Sequence, residues 1–146
     1  MILAHPFRFL FDLPTYTQNM LFRDAAKTPR TAEEASGHPV FELVDEIEVV
    51  NGGNIERENR FAQEVAALLG RWGTGGSDAH STDGFAKGVT VFNGDIRNET
   101  DLLEALRAGD FFPVEGFHVG TPNNYGLTSW LKPWMLDVRG HEDANH

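Results

Sequence analysis

Asp78 and His80, a carboxylate and an imidazole separated by one residue, are the side chains of this sequence that most directly suggest chemistry. They follow the glycine-rich residues 74–77. In an extended segment alternate side chains share a face, so the two are expected about 6 to 7 Å apart. Carboxylate oxygen and imidazole nitrogen together suit zinc, manganese or iron better than calcium. The pair is interpreted as half of a metal site, although the same spacing also occurs in Asx-turns and structural hydrogen-bonded pairs.

The composition restricts the class of protein and the ligands that a metal could use. The 146 residues contain no cysteine, which excludes disulfides and thiolate ligands and makes the cytoplasm the expected compartment. The net charge of −10, without a basic cluster, argues against sequence-independent binding of nucleic acid. No apolar run approaches the roughly 18 residues of a membrane span, and the apolar run at residues 2–4 is too short for a signal peptide.

Alternating strand and helix signals predict the elements that would position these side chains. Strands are predicted at residues 2–4, 45–51, 72–77, 88–92 and 111–114. Helices are predicted from a Thr31 cap to Gly37, across residues 55–69 before Gly70, and from a cap at Asn98 or Thr100 to Ala108 before Gly109. This order favours an α/β fold with parallel strands. Residues 1–136 are expected to form one domain, followed by a polar tail at 137–146.

Polar side chains end the first three predicted strands. His5 follows the first strand, Asn51 ends the second and Asp78 follows the third. Because chemistry in such folds gathers at the C-terminal ends of the strands, these residues are expected to converge at one edge of the sheet.

Four segments, taken in chain order, resemble the C-terminal half of the polymerase and histidinol phosphatase (PHP) family of metal-dependent phosphoesterases. They are AHPFR at residues 4–8, IEVVNG at 47–52, GSDAHS at 76–81 and ALRAG at 105–109. The resemblance implies a distorted (β/α) barrel with divalent metals at the C-terminal ends of its strands. It also implies that His5 is the ligand of the third family motif, and that Asp78 and His80 are the ligands of the fourth.

The N-terminal motifs of the family have no counterpart in this sequence. The H-x-H pair of the first motif and the further ligands of the second should precede His5, where only four residues are present. Three matched ligands are a minority of the family set. Half of a barrel would also expose a sheet edge and an apolar face, so we expect self-association or an N-terminal partner.

Arg8 and Glu48 are the candidate catalytic residues besides the metal ligands. The Arg8 guanidinium could bind a phosphate oxygen, although surface ion pairs are the commoner role of arginine. Glu48 lies among apolar neighbours and could contact substrate or support a ligand, or simply face solvent.

Three functional hypotheses follow. The leading one is hydrolysis of a small phosphorylated substrate by a water that a divalent metal activates. The second is a non-catalytic half-barrel that binds or assembles. The third is that the sequence is a fragment of a longer PHP enzyme.

Overall fold

The computed structural model describes residues 1–11, 18–120 and the backbone of residues 123 and 124. The strands are β1 (Ile2–Leu3), β2 (Glu46–Asn51), β3 (Thr74–Gly76), β4 (Gly88–Phe92), β5 (Phe111–Glu115) and β6 (Asn123–Asn124). The α-helices are α1 (Ala32–Ser36), α2 (Glu56–Leu69) and α3 (Glu99–Ala108). Each strand and helix predicted within these residues is therefore present. A short 3₁₀ turn lies at Ala25–Lys27.

The helices begin and end where the local signals predict. The Thr31 side chain accepts a hydrogen bond from Glu34 N, and the Asn98 side chain accepts one from Asp101 N, so Asn98 is the cap of α3. Gly70 and Gly109 end α2 and α3 in the left-handed conformation, which glycine adopts without strain.

The first sheet is parallel, as predicted. Its order is β1-β2-β3, with Leu3 paired to Ile47 and Asn51 paired to Gly76. The central strand β2 is buried at five of six positions, as is typical of a parallel strand covered on both faces. All three strands run in one direction, so the loops after β1, β2 and β3 emerge at the same edge.

The second sheet is antiparallel, and the prediction of parallel strands is wrong for it. β4 pairs with β5 and β5 with β6, both antiparallel. Only Gly109 and Asp110 separate α3 from β5, and Asn93 N donates to Asp110 O at 3.1 Å. Because this bond closes the connection beside the end of β4, β5 starts opposite Phe92 and runs back along its neighbour.

Close backbone approach joins the two sheets at β3 and β4. The Thr90 hydroxyl accepts from Gly75 N at 2.9 Å and donates to Gly75 O at 2.8 Å. A Cβ added at Gly88 would lie 2.5 Å from Gly76 O. These glycines therefore set the distance between the sheets.

Aromatic rings fill the core between the parallel sheet and its helices. Phe7 is fully buried and contacts Phe61 edge to face, with ring centroids 4.9 Å apart. The rings of Phe22 and Phe41 also pack against the Phe7 ring, each with its centroid 6.3 Å from that of Phe7. Phe7 therefore anchors the segment after β1 to α2, which holds the residues on either side of it against the sheet.

A buried acid on β2 makes stability depend on pH. Glu46 is 7% exposed, and its carboxylate accepts from Gly73 N at 3.0 Å and Trp72 N at 3.3 Å. Burial raises the pKa of Glu46 above its usual value, against the lowering effect of these two bonds. Because the pKa of Glu46 is higher in the folded state than in the unfolded state, this residue contributes most to stability at pH values below the unfolded-state pKa. This contribution to stability is lost as pH rises through the folded-state pKa.

Chemical denaturation across pH should reveal this loss. We expect the free energy of unfolding of the native chain, relative to that of Glu46→Gln, to fall as pH rises from about 4.5 toward neutrality. A difference that stays constant across this range would contradict the assignment.

In the described part of the chain, no helix is long and apolar enough to cross a membrane. Most of residues 115–136, and the whole of the predicted polar tail at 137–146, lie outside the described residues.

Candidate functional site

The ends of the three parallel strands and the loops that follow them bring three polar side chains together at the C-terminal edge of the sheet. Arg8 Nη1 donates to Asp78 Oδ2 in an ion pair. A Cβ added at Gly53 would lie 2.7 Å from Asp78 Oδ2, 3.2 Å from Asn51 Oδ1 and 3.3 Å from Arg8 Nη1. We call this group, Arg8, Asn51, Gly53 and Asp78, the strand-end cluster. The segments that carry His5 and Asp78 therefore lie side by side.

The Glu48 side chain connects the ends of the three parallel strands. Its Oε2 accepts from His5 N at 2.7 Å and from Asn51 Nδ2 at 2.8 Å. Its other oxygen lies against the backbone of Gly76, where any Cβ would overlap it. One carboxylate thus contacts residues at the ends of β1, β2 and β3, which identifies Glu48 as a residue that positions the cluster.

Loss of this carboxylate should loosen the site. In Glu48→Ala, His5 N and Asn51 Nδ2 lose their shared acceptor, and we expect unfolding to become easier by about 2 kcal/mol. Thermal and denaturant melts measure the effect. Glu104→Ala, which removes an exposed carboxylate from α3, is the matched control and should change little. Equal stability of the two variants would contradict the connecting role of Glu48.

Asn51 is held rigidly within the turn after β2. It is 2% exposed, its Oδ1 accepts from Gly53 N at 2.9 Å, and its backbone exchanges bonds with the side chain of Asn59. This is the turn-forming role expected of an asparagine before two glycines. It also directs the Asn51 amide toward Glu48.

Strained backbone is concentrated around the strand-end cluster. Of the four non-glycine residues with positive φ among those described, three lie there: His5 at 30°, Phe9 at 62° and Asp78 at 49°. Each such conformation costs on the order of 1 kcal/mol and persists only where surrounding contacts hold it. The bond from His5 N to Glu48 and the pairing of Arg8 with Asp78 supply such contacts. Strain of this kind gathers at functional sites.

The local geometry of Asp78 and His80 differs from the extended segment that their spacing suggests. β3 ends at Gly76 and Asp78 turns into positive φ, so the chain is not extended here. His80 Nδ1 lies 2.8 Å from Asp78 O and 3.9 Å from Asp78 Oδ1. The carboxylate is 14% exposed and the imidazole 82% exposed. The two side chains are neighbours, but Asp78 points into the cluster whereas His80 lies largely in solvent.

His5, Asp78 and His80 have the donor chemistry that a divalent metal requires. Among the described residues, however, no group of three or more histidine and acidic side chains is close enough to hold an ion. Asp78 Oδ2 is bound to Arg8, which leaves Oδ1 on the side of His80. The donor types fit a metal, and the three residues would need further ligands or rearrangement to enclose one.

Two contributors to the site were missed by reasoning from the sequence. Gly53 leaves the space in which the cluster converges, and Asn19 holds the loop after β1 by donating to Pro6 O and Arg8 O at 2.9 Å. The double glycine after a strand was a signal for Gly53. A lone polar residue in an aromatic-rich segment does not distinguish Asn19 from a surface asparagine.

The fold and the cluster define an α/β protein with a carboxylate-centred site at the C-terminal ends of parallel strands. Residues 56–111 match a family model described as PHP-associated. The match runs from α2 to the first residue of β5 and includes Asp78 and His80, while His5, Arg8 and Glu48 lie outside it. The resemblance to the C-terminal region of the PHP family is thereby confirmed. No match was found among curated proteins or solved structures.

Proposed function

We propose that this chain is a PHP-type, metal-dependent phosphoesterase whose active site lies at the C-terminal edge of the parallel sheet. The observation that carries the proposal is the convergence of Arg8, Asn51 and Asp78 around Gly53 at the C-terminal edge of the parallel sheet. The PHP-associated match over residues 56–111 supplies the family context. In this proposal the parallel sheet corresponds to one side of a distorted (β/α) barrel.

His5, Asp78 and His80 are the residues proposed to hold a divalent ion, either zinc, manganese or iron. When bound, such an ion polarises a phosphoryl group and lowers the pKa of a water that attacks phosphorus. Arg8 is proposed to orient a phosphate oxygen through its guanidinium, since it already binds a carboxylate oxygen in the cluster. Glu48 acts indirectly, through the His5 backbone and the Asn51 amide.

The experiment that tests this proposal combines metal analysis with a phosphatase assay on the full chain. Purified protein is incubated with Mn²⁺, Zn²⁺ or Fe²⁺, and bound metal and release of p-nitrophenol from p-nitrophenyl phosphate are measured. We expect at least one metal to bind and to support turnover that a chelator abolishes. Bound metal without turnover would contradict catalysis by this chain.

A second candidate function, that of a non-catalytic binding or assembly module, is favoured by two observations. Asp78 is already neutralised by Arg8, and the described residues hold no three-membered group of metal ligands. In this proposal the partner is a second copy or another chain that pairs with the outer edge of β1, where Ile2 is 45% exposed. Association in sedimentation experiments, without turnover in the assay above, would favour the module.

A further inference from the structure

A cavity beside the strand-end cluster has the lining expected for the organic part of a substrate. It encloses about 350 Å³ and is bordered by His5 and Arg8. Six apolar residues line it: Leu3, Ala4, Pro6, Phe9, Met20 and Leu21. The remaining lining residues are Gln18 and Asn19. The cavity therefore joins a mostly apolar wall to His5 and Arg8, two residues of the proposed active site.

The guanidinium of Arg8 lies between the cavity and the strand-end cluster. Its Nε atom is buried and has no partner among the described residues. Nη1 of the same guanidinium binds Asp78. A buried donor without an acceptor is unfavourable, so the Arg8 side chain is not fully satisfied by the contacts of the described residues. The guanidinium borders the cavity while its Nη1 remains on Asp78, so its positive charge lies between the cavity and the strand-end cluster, where it would attract a phosphate.

Asn19, one of the two uncharged amide residues of the lining, offers little to a sugar or a second phosphate. Asn19 uses its amide internally, because Nδ2 donates to Pro6 O and Arg8 O and Oδ1 accepts from Leu21 N and Phe22 N. Among the described residues, no lysine and no carboxylate lines the cavity. An apolar group of aromatic size is the ligand that such a wall stabilises, through burial of its surface.

We propose that this cavity receives the apolar alcohol group of a phosphate monoester whose phosphate lies on Arg8 and the strand-end cluster. The substrate class is then a small aryl or similarly apolar phosphate, as distinct from a sugar phosphate or a nucleic acid. This inference rests on the proposed function for the position of the phosphate, but its test does not require turnover.

Binding of two phosphonates to the full chain in manganese-containing buffer tests the cavity directly. Titration calorimetry is performed with phenylphosphonate and with methylphosphonate, which share the phosphonate and differ in the apolar group. Burial of the ring predicts about 10-fold tighter binding of phenylphosphonate. Arg8→Lys, which replaces the planar guanidinium by an ammonium group, should weaken the binding of both ligands and leave their affinity ratio unchanged.

Ala4→Phe is the variant that narrows the cavity, since Ala4 lines it and is otherwise exposed. It should remove the preference for the phenyl ligand while leaving the binding of methylphosphonate intact. Ala26→Phe adds the same ring at an exposed position of the Ala25–Lys27 turn, away from the cavity, and should preserve the preference. Melting curves verify that both variants fold.

The outcomes separate this inference from the proposed function. Equal affinity for the two phosphonates, or a preference that survives Ala4→Phe, would overturn the apolar cavity as a substrate site. Failure of both phosphonates to bind would overturn this inference and the proposed phosphate position together. A phenyl preference that Ala4→Phe abolishes supports it. Phenyl phosphate is assayed in parallel, and a preserved preference without hydrolysis would overturn the phosphoesterase proposal alone.

Discussion

Asp78→Asn is expected to reduce metal-dependent phosphatase activity by at least about 100-fold, the largest effect on function that the structure predicts. The substitution removes the only carboxylate among the three proposed ligands while keeping the size of the side chain. Asparagine tolerates the positive φ of 49° found at this position, so the backbone should be retained. Its amide oxygen can still accept from Arg8, and the cost in stability should be about 1 kcal/mol.

Activity and melting temperature are therefore measured on the same preparation. Asp110→Asn, which removes an exposed carboxylate just before β5, is the matched control and should keep full activity. If Asp78→Asn retained half of the native activity with metal bound, Asp78 would not be a ligand and the metal-site proposal would fail.

The largest loss of stability is expected for Gly75→Ala. A Cβ at Gly75 would overlap the Val89 carbonyl oxygen and lie 2.7 Å from the Val89 carbonyl carbon. These are backbone atoms of β4, so no side-chain rotation relieves the overlap. The strands must separate, and both hydrogen bonds between Gly75 and the Thr90 hydroxyl are then stretched or broken. We expect a loss of about 3 kcal/mol in the free energy of unfolding.

For a domain of this size such a loss lowers the melting temperature by roughly 10 °C. Gly94→Ala is the matched control, because a Cβ at Gly94 would meet no atom within 4 Å. A melting temperature for Gly75→Ala equal to that of Gly94→Ala would show that the two sheets are not packed as closely as described.

The elements with the strongest local signals were predictable. The helix that became α2 carries an amphipathic stripe and ends at Gly70, and α3 lies between the Asn98 cap and Gly109. Caps, stop signals and periodicity act over a few residues, so they can be read directly from neighbouring positions. The apolar β2 with its Asn-Gly-Gly ending was recognisable for the same reason.

The direction of the later strands was not predictable from these signals. The order of strand, helix and strand over residues 88–115 is typical of a parallel crossover, yet β4 and β5 are antiparallel. The direction of β5 depends on whether α3 crosses over the sheet or the chain after α3 turns back along β4. Here the bond from Asn93 to Asp110 returns β5 to the end of β4. A contact between the two ends of a connection has no signature within either strand.

By itself, the sequence determined which segments become helices and strands, where most of them end, and which polar residues lie at the C-terminal ends of the parallel strands. Tertiary structure decided how those polar residues are used. Arg8 and Asp78 pair across 70 positions of the chain, and Glu48 binds the His5 backbone across 43. The physical reason is that local signals depend on neighbouring residues, whereas the partners of a charged group depend on which distant segments the fold brings together.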